Sequence, residues 1–335
     1  MSSNSSNYRS VLMADMALVL VAFIWGAGIP LSAVLARGLT PLWAVALRML
    51  LASFFLILMF PKTILTSTKR DWQVSFIQTA ILTCVFVSLT FGLVYSTASK
   101  QAFIGGLNVI LVPIFVWILY SVRPSGWLFA GAGVTTVGLL VMGFTPGMEF
   151  NFGDLLSFIM AIFYAAQVLG ADYCVRRVEP TRLVALHIIM LSVILAALAL
   201  IFEPIPNPMT FSAKIWSSLL CVSLCNTILC FIIQFRAQKK TSATHAAVIF
   251  SLEGLFGYIL AVASGQDPFH LQGGGASNHF QDLFGDIDVP VRLTAGVVFS
   301  AFTHCCSPPL WKRIGSEDPI LRCQEWQDSI YCLSL

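Results

Sequence analysis

Charge is what this chain has little of. Asp, Glu, Lys and Arg make up 10% of its 335 residues, where a soluble globular chain carries about 25%. So few charges cannot cover the surface of a soluble protein of this length, and a disordered chain, which is rich in charge and poor in apolar residues, is excluded too. The sequence contains no phosphate-binding glycine loop, nucleophile elbow or zinc motif. ATP-driven transport is therefore not expected, and no cofactor, metal or nucleic-acid partner is expected either. Nine cysteines do not form a secreted disulfide pattern. Cys84, Cys174, Cys221, Cys225 and Cys230 lie in apolar stretches and read as small buried hydrophobes. Cys221 and Cys225 share a helix face, but no His or carboxylate joins them at metal-ligand spacing. A cleavable signal peptide is not expected, because the first apolar stretch is too long and has no small-residue cleavage site.

What the chain does have is apolar length. Ala, Val, Ile, Leu, Met, Phe, Trp, Tyr and Cys reach 57%, and mean hydropathy is +0.84. Nine apolar runs stand out, at about 11–36, 42–60, 74–95, 101–120, 127–144, 155–175, 183–202, 215–235 and 244–263. Each is near the ~20 residues that cross a bilayer as a helix. The runs are continuous rather than alternating, so they read as helices and not barrel strands. The fold class is an all-α polytopic membrane protein. With the N-terminus in the cytoplasm, eleven Lys and Arg fall on the cytoplasmic side, among them Arg9, Lys69, Arg70, Arg177 and Lys239. Only Arg37, Lys100 and Lys214 fall opposite. This positive-inside bias predicts a cytoplasmic N-terminus in the plasma or inner membrane.

The chain also repeats itself. A shift of 139 residues superposes Asp15 on Asp154, Arg37 on Arg176, Pro41 on Pro180 and Val45-Ala46-Leu47 on Val184-Ala185-Leu186, and it sets Trp25 against Tyr164. A shift of 145 superposes Leu107-Asn108 on Leu252-Glu253. Each unit holds five spans. Because five is odd, the second unit enters the membrane from the other side, as in secondary transporters whose substrate sites lie near the midplane between inverted repeats. That step to function rests on architecture alone.

The motifs resemble the EamA family of the drug/metabolite transporter superfamily. The first span carries Phe23-Ile24-Trp25-Gly26 and then Pro30; Leu39-Thr40-Pro41 and Ala46-Leu47-Arg48 follow. The fourth span opens Thr97-Ala98-Ser99-Lys100-Gln101-Ala102-Phe103, then Leu107-Asn108-Val109 and Val112-Pro113. The second half has Gln238-Lys239-Lys240-Thr241-Ser242-Ala243-Thr244 and Ser251-Leu252-Glu253, with Gly254 where the family usually has Pro. The resemblance covers about residues 11–272. It implies ten helices in two inverted five-helix repeats around a central cavity, and movement of small metabolites. The chain then divides into a cytoplasmic tail (1–10), a first repeat (11–145), a second repeat lacking a clear last helix (152–272) and an atypical tail (273–335). Charge rises in that tail, to 11 of 63 residues, as a reading-frame change or replaced segment near Gly273 would produce. The stretch 293–311 contains His304, Pro308 and Pro309, so nine spans are clear and the tenth is degenerate.

Ionisable groups inside spans are costly and point to function. Arg48 either snorkels to the interface or meets a buried partner or an anionic substrate. His187 is its repeat mate, and a structural role is open beside titration. Glu253 is the coupling candidate, with helix packing as the alternative. Asp172 has Arg176 one turn on, so an i,i+4 pair would account for both. Gln101, Asn108, Gln167, Asn226 and Gln234 either line a cavity or bond between helices. Trp25, beside Gly26 and Gly28 and before Pro30, suits a gate at a bend, or an interface anchor. Pro113 is a second kink candidate. Glycines at 126, 131, 133, 138 and 143 give the fifth span a packing or homodimer face.

The leading expectation is a secondary transporter, and not an enzyme. It would export or exchange small organic metabolites or drugs, with the substrate and the lipid bilayer as its partners. The alternatives are a non-transporting remnant with a broken last helix, or a membrane enzyme acting on lipid. Such an enzyme needs clustered groups at one interface, and the polar residues here read as scattered singly at depth.

Overall fold

The computed structural model describes residues 2–96, 101, 104–121, 126, 129–133, 136, 150–254, 256 and 260. Most of the fifth span, the latter part of the ninth and the tail 273–335 lie outside the described residues. Every regular element among the described residues is helical. We number them α1 (Ser2–Gly38), α2 (Pro41–Met59), α3 (Pro61–Leu65), α4 (Lys69–Tyr95), α5 (Asn108–Tyr120), α6 (Phe152–Val175), α7 (Pro180–Phe202), α8 (Ala213–Gln238) and α9 (Ala243–Phe250). Six helices are long and apolar enough to cross a membrane, and Ile104–Tyr120 is a shorter apolar helix. The polar stretch between the second and third apolar runs is partly helical, because Pro61 starts a short turn of helix and Lys69 opens α4.

The helix starts follow from local chemistry. Four amide groups at each N-terminus lack an intrahelical partner and need an acceptor. Thr68 with Asp71, and Asn151 with Asp154, form reciprocal capping boxes at α4 and α6. α2 and α7 begin with Pro, whose missing N–H costs nothing there. The α7 cap is local, Glu179 accepting from Arg182 N at 2.8 Å. The α2 cap is not: the Glu203 carboxylate, beyond the far end of α7, accepts from Leu42 N, Trp43 N and Thr40 Oγ1.

Contacts define two ends of the bundle. Asp15, Thr241, Arg236, Thr181, Arg182, Asp71 and Thr66 are linked at one end. Gly38 meets Ile215, Glu203 meets Thr40, Phe202 meets Phe91, and Ser96 meets Asp154 at the other. It follows that α1 and α4 run from the Asp15 end to the Ser96 end, and α6 and α8 run back. α2 and α7 are likewise antiparallel. Ten of the eleven cations counted above for one face belong to described segments at the Asp15 end: Arg9 at the start of α1, Lys62, Lys69 and Arg70 around the α3–α4 turn, Arg176, Arg177 and Arg182 where α6 gives way to α7, and Arg236, Lys239 and Lys240 at the end of α8; Arg123 lies outside the described residues.

Two apolar cores hold the helices. One gathers Leu56, Leu82, Leu183, Leu191, Leu195 and Phe235; the other gathers Leu18, Val21, Ala165, Val168, Ala246 and Ala247. Bilayer tails are as apolar as leucine, so close packing rather than water exclusion favours these contacts, and small residues serve it best. Ile201 and Leu58 are 72% and 66% exposed, which suits side chains that face lipid. Cys221 is exposed and Cys84 and Cys225 are half-buried, so only Cys174 and Cys230 are the buried hydrophobes the composition suggested. In a membrane an apolar run gives no direction to its outward face, which lipid accepts as readily as a core does.

Candidate functional site

Trp25 stands ten residues from Asp15 and thirteen from Gly38. At 1.5 Å per residue that is about 15 Å from the Asp15 end, half of the ~30 Å hydrocarbon thickness. Its indole Nε1 donates to the Asn226 carbonyl at 2.9 Å, and Asn226 Nδ2 donates to the Trp25 carbonyl at 3.3 Å. Its ring also meets Phe231 and Phe250 at 6.0 and 5.1 Å. Trp25 is thus an interior contact between α1 and α8, not an interface anchor. One turn on, Gly28 is required for this approach: a Cβ there would lie 1.7 Å from Asn226 Nδ2.

Asn226 belongs to an unusual segment. Between Val222 and Leu229, α8 widens into a π-helix. Such stretches are rare, and they mark functional sites because the looser turn frees backbone groups and redirects side chains. Here Thr227 Oγ1 donates to the Val222 carbonyl, five residues back, and accepts from Arg48 Nε at 2.7 Å. Ser223 Oγ donates to the Arg48 carbonyl at 3.0 Å. α2 is therefore joined to the widened turn by both the backbone and the side chain of Arg48.

Arg48 does not snorkel. Its guanidinium shares its surroundings with the Glu253 carboxylate, Tyr164 and Cys230. The Tyr164 side chain lies beside Glu253. A cation, an anion and a phenol from three helical segments thus converge inside the bundle, with Trp25, Phe231 and Phe250 as an aromatic flank. The polar residues that read as scattered singly are, in part, a cluster. Such a set can hold complementary charge on a small molecule, or satisfy itself internally when none is bound.

The other sequence candidates fall elsewhere. His187 is fully buried beside the rings of Phe231 and Phe235, at 5.2 and 5.3 Å, with Nδ1 against the Leu183 carbonyl at 2.8 Å. It touches the cluster through Phe231, and its Nε2 has no hydrogen-bond partner among the described residues. Asp172 is paired with Arg176 at 2.9 Å near the end of α6, as the i,i+4 spacing suggested. Gln101 donates to the Leu89 carbonyl at 2.8 Å and is a structural clamp on the end of α4. Gln234 donates to Gln238 at 3.1 Å, and the Gln167 carbonyl accepts from Gln78. Pro30 and Pro113 are buried within α1 and α5, and Asn108 is buried at the start of α5. Sequence reasoning missed Tyr164, Thr227 and Cys230 as members of the cluster. Tyr164 had a signal, its register with Trp25. Thr227 and Cys230 had none, because a π-turn leaves no mark in hydropathy.

These helices define a multi-pass membrane protein with a polar cluster held at mid-depth. Residues 12–144 and 151–273 match the EamA-like transporter family, and the chain belongs to that family; it is a membrane transporter. It is 28% identical over 255 residues to an uncharacterized transporter of Archaeoglobus fulgidus, covering 75% of this chain and 78% of that protein. A solved crystal structure is similar at a TM-score of 0.68 and 16% identity, over 91% of this chain and 99% of that one. At that identity the likeness speaks for the fold alone.

Proposed function

We propose that this protein is a secondary transporter that exports or exchanges small organic metabolites through a central cavity between two inverted repeats, 11–145 and 152–272. One observation carries the reading. Arg48 comes from the first repeat, Tyr164, Thr227 and Glu253 come from the second, and they meet at the depth of Trp25. A site shared by two oppositely oriented halves is where alternating access places a substrate. The opposite directions of α1 and α6, α2 and α7, and α4 and α8 support the inverted relation. Arg48 and Glu253 are the substrate- or ion-facing charges, and Glu253 is the coupling residue. The open space beside Gly126 and Gly133, where an added Cβ meets nothing within 4 Å, supports a homodimer face on the fifth helix.

The test is flux in proteoliposomes across a panel of labelled metabolites. Glu253→Gln nearly keeps shape and removes the charge. It is expected to lower flux at least about tenfold, in line with losing a group of the transport cycle at about 1.4 kcal/mol per decade, with protein level unchanged. Flux equal to that of the unsubstituted protein across a pH range would make Glu253 a packing residue and overturn the assignment.

A further inference from the structure

The internal repeat relates two hydrogen bonds at opposite ends of the bundle. At one end Thr241 Oγ1 donates to Asp15 Oδ1 at 2.7 Å. At the other Ser96 Oγ donates to Asp154 Oδ1 at 2.5 Å. The shift of 139 carries Asp15 onto Asp154, and the shift of 145 carries Ser96 onto Thr241. In each bond the carboxylate belongs to the first helix of one half. The hydroxyl lies just beyond the third helix of the other half. Both bonds therefore cross between the halves, and they are the same bond made twice with the halves exchanged.

Each bond sits in a tight closure. Asp15 and Thr241 are both 4% exposed and Asp154 is 2% exposed. Around Asp15, small residues of α1, α8 and α9 pack together: Ala14, Ala237, Ala243 and Ala246. His245 faces Asp15 from α9. Around Asp154 the backbones nearly touch, since a Cβ on Gly153 would stand 2.6 Å from Ser96 N and from the Tyr95 carbonyl carbon. The second oxygen of Asp154 is already engaged by Asn151 N. The cluster of Arg48, Tyr164 and Glu253 lies between the two closures, level with Trp25.

We propose that the two bonds are paired gate latches: Asp15–Thr241 closes the site toward one face, Ser96–Asp154 closes it toward the other, and transport opens one at a time. The proposal rests on the transport reading above. The chemistry suits a latch. A hydroxyl–carboxylate bond is strong while dry, yet water replaces both partners when the closure parts, so its net value is small and opening is reversible. A fully apolar seal would not give this exchange. In this structure both bonds are made.

Cys230 supplies a native reporter, because it is buried and adjoins Arg48 and Glu253. With the other cysteines replaced by Ala, a membrane-impermeant maleimide is applied to right-side-out and inside-out membrane vesicles. Thr241→Val is expected to speed labelling of Cys230 about fivefold, the value of one hydrogen bond, only from the face that carries Thr241. Ser96→Ala is expected to do the same only from the opposite face. Thr241→Ser and Ser96→Thr keep the hydroxyl and are expected to label like the parent, which separates the bond from general loosening. Equal acceleration from both faces, or none from either, overturns the latches. Flux is scored separately. Face-selective labelling without flux of any compound would sink the transport reading and keep the gating pair, and flux without face selectivity would do the reverse.

Discussion

Gly28 and Asn226 set how closely α1 and α8 approach, and the reciprocal bonds between Trp25 and Asn226 depend on that distance. Gly28→Ala puts a methyl where the Asn226 amide stands. The amide is itself bonded and lies in a buried turn, so it has nowhere easy to go. Overpacking of this kind costs about 1–3 kcal/mol, and the expected outcome is a lower melting temperature in detergent with weaker Trp25 fluorescence shielding. A melting temperature equal to that of the parent would show that the π-turn absorbs the methyl. Arg48 offers a different test. If its guanidinium and Glu253 stabilise each other, then Arg48→Gln and Glu253→Gln together should destabilise less than the sum of the single changes. Additive effects on melting would mean that the two charges act independently.

At the scale of elements, the helix starts carry the cross-links. Glu203 takes three hydrogen bonds from the start of α2 although it lies at the far end of α7. Glu203→Gln keeps one acceptor oxygen and loses the charge, so charge-assisted bonds become ordinary ones. A loss of about 1–2 kcal/mol is expected, read as a lower melting temperature, and Glu203→Asp is expected to lose the reach as well. Glu179 gives a pH signature. Partial burial would raise its carboxyl, but the backbone amides of Arg182 and Thr181, the Thr181 side chain and the charge of Arg236 outweigh that and hold it below its ordinary 4.5. A depressed carboxyl stabilises the fold at pH values above its unfolded value, and that contribution is lost as pH falls through the folded value. The gap in melting temperature between the parent and Glu179→Gln should therefore be present at neutral pH and close in acid. A gap that persists unchanged into acid would place the effect of Glu179 in packing rather than charge.

For the whole molecule, the cation-rich Asp15 end is expected to face the cytoplasm. The expectation rests on eleven Lys and Arg against three, through the cost of moving cations across the membrane. A cysteine placed at Lys69 should react with an impermeant maleimide in inside-out vesicles and stay unlabelled in intact cells, and the opposite pattern would invert the assigned topology. The tail is a second question of topology. If 273–335 forms no tenth span, nine spans put Leu335 on the face opposite the N-terminus. A reporter fused after Leu335 that is active only outside the cytoplasm is the expected result, and a reporter active only in the cytoplasm would mean an even number of crossings.

The sequence by itself determined the all-helical membrane class, six of the spans, the charge asymmetry and the register of internal identities. These properties are local or additive: a run of twenty apolar residues, a count of cations and a register of identities need no knowledge of neighbours. The start of α4 at Lys69 was not legible, although its cap is local, because Thr68 and Asp71 sit in a polar stretch that hydropathy alone assigns to a loop. Where two distant segments must meet, sequence fell short. It singled out Trp25, Arg48 and Glu253 one by one, but beyond the register of Tyr164 with Trp25 it gave no reason to join them to Tyr164, and none to join them to Thr227. It could set Asp172 aside, because its partner Arg176 lies one turn on in the same helix, but it could not name Arg48 as the neighbour of Glu253, because that partner lies about two hundred residues away. Tertiary structure decided these points, since the partner of a buried polar group is whichever group the packing of other helices brings within about 3 Å. The widened turn at 222–229 that brings Thr227 to Arg48 is a property of the packed bundle rather than of its hydropathy.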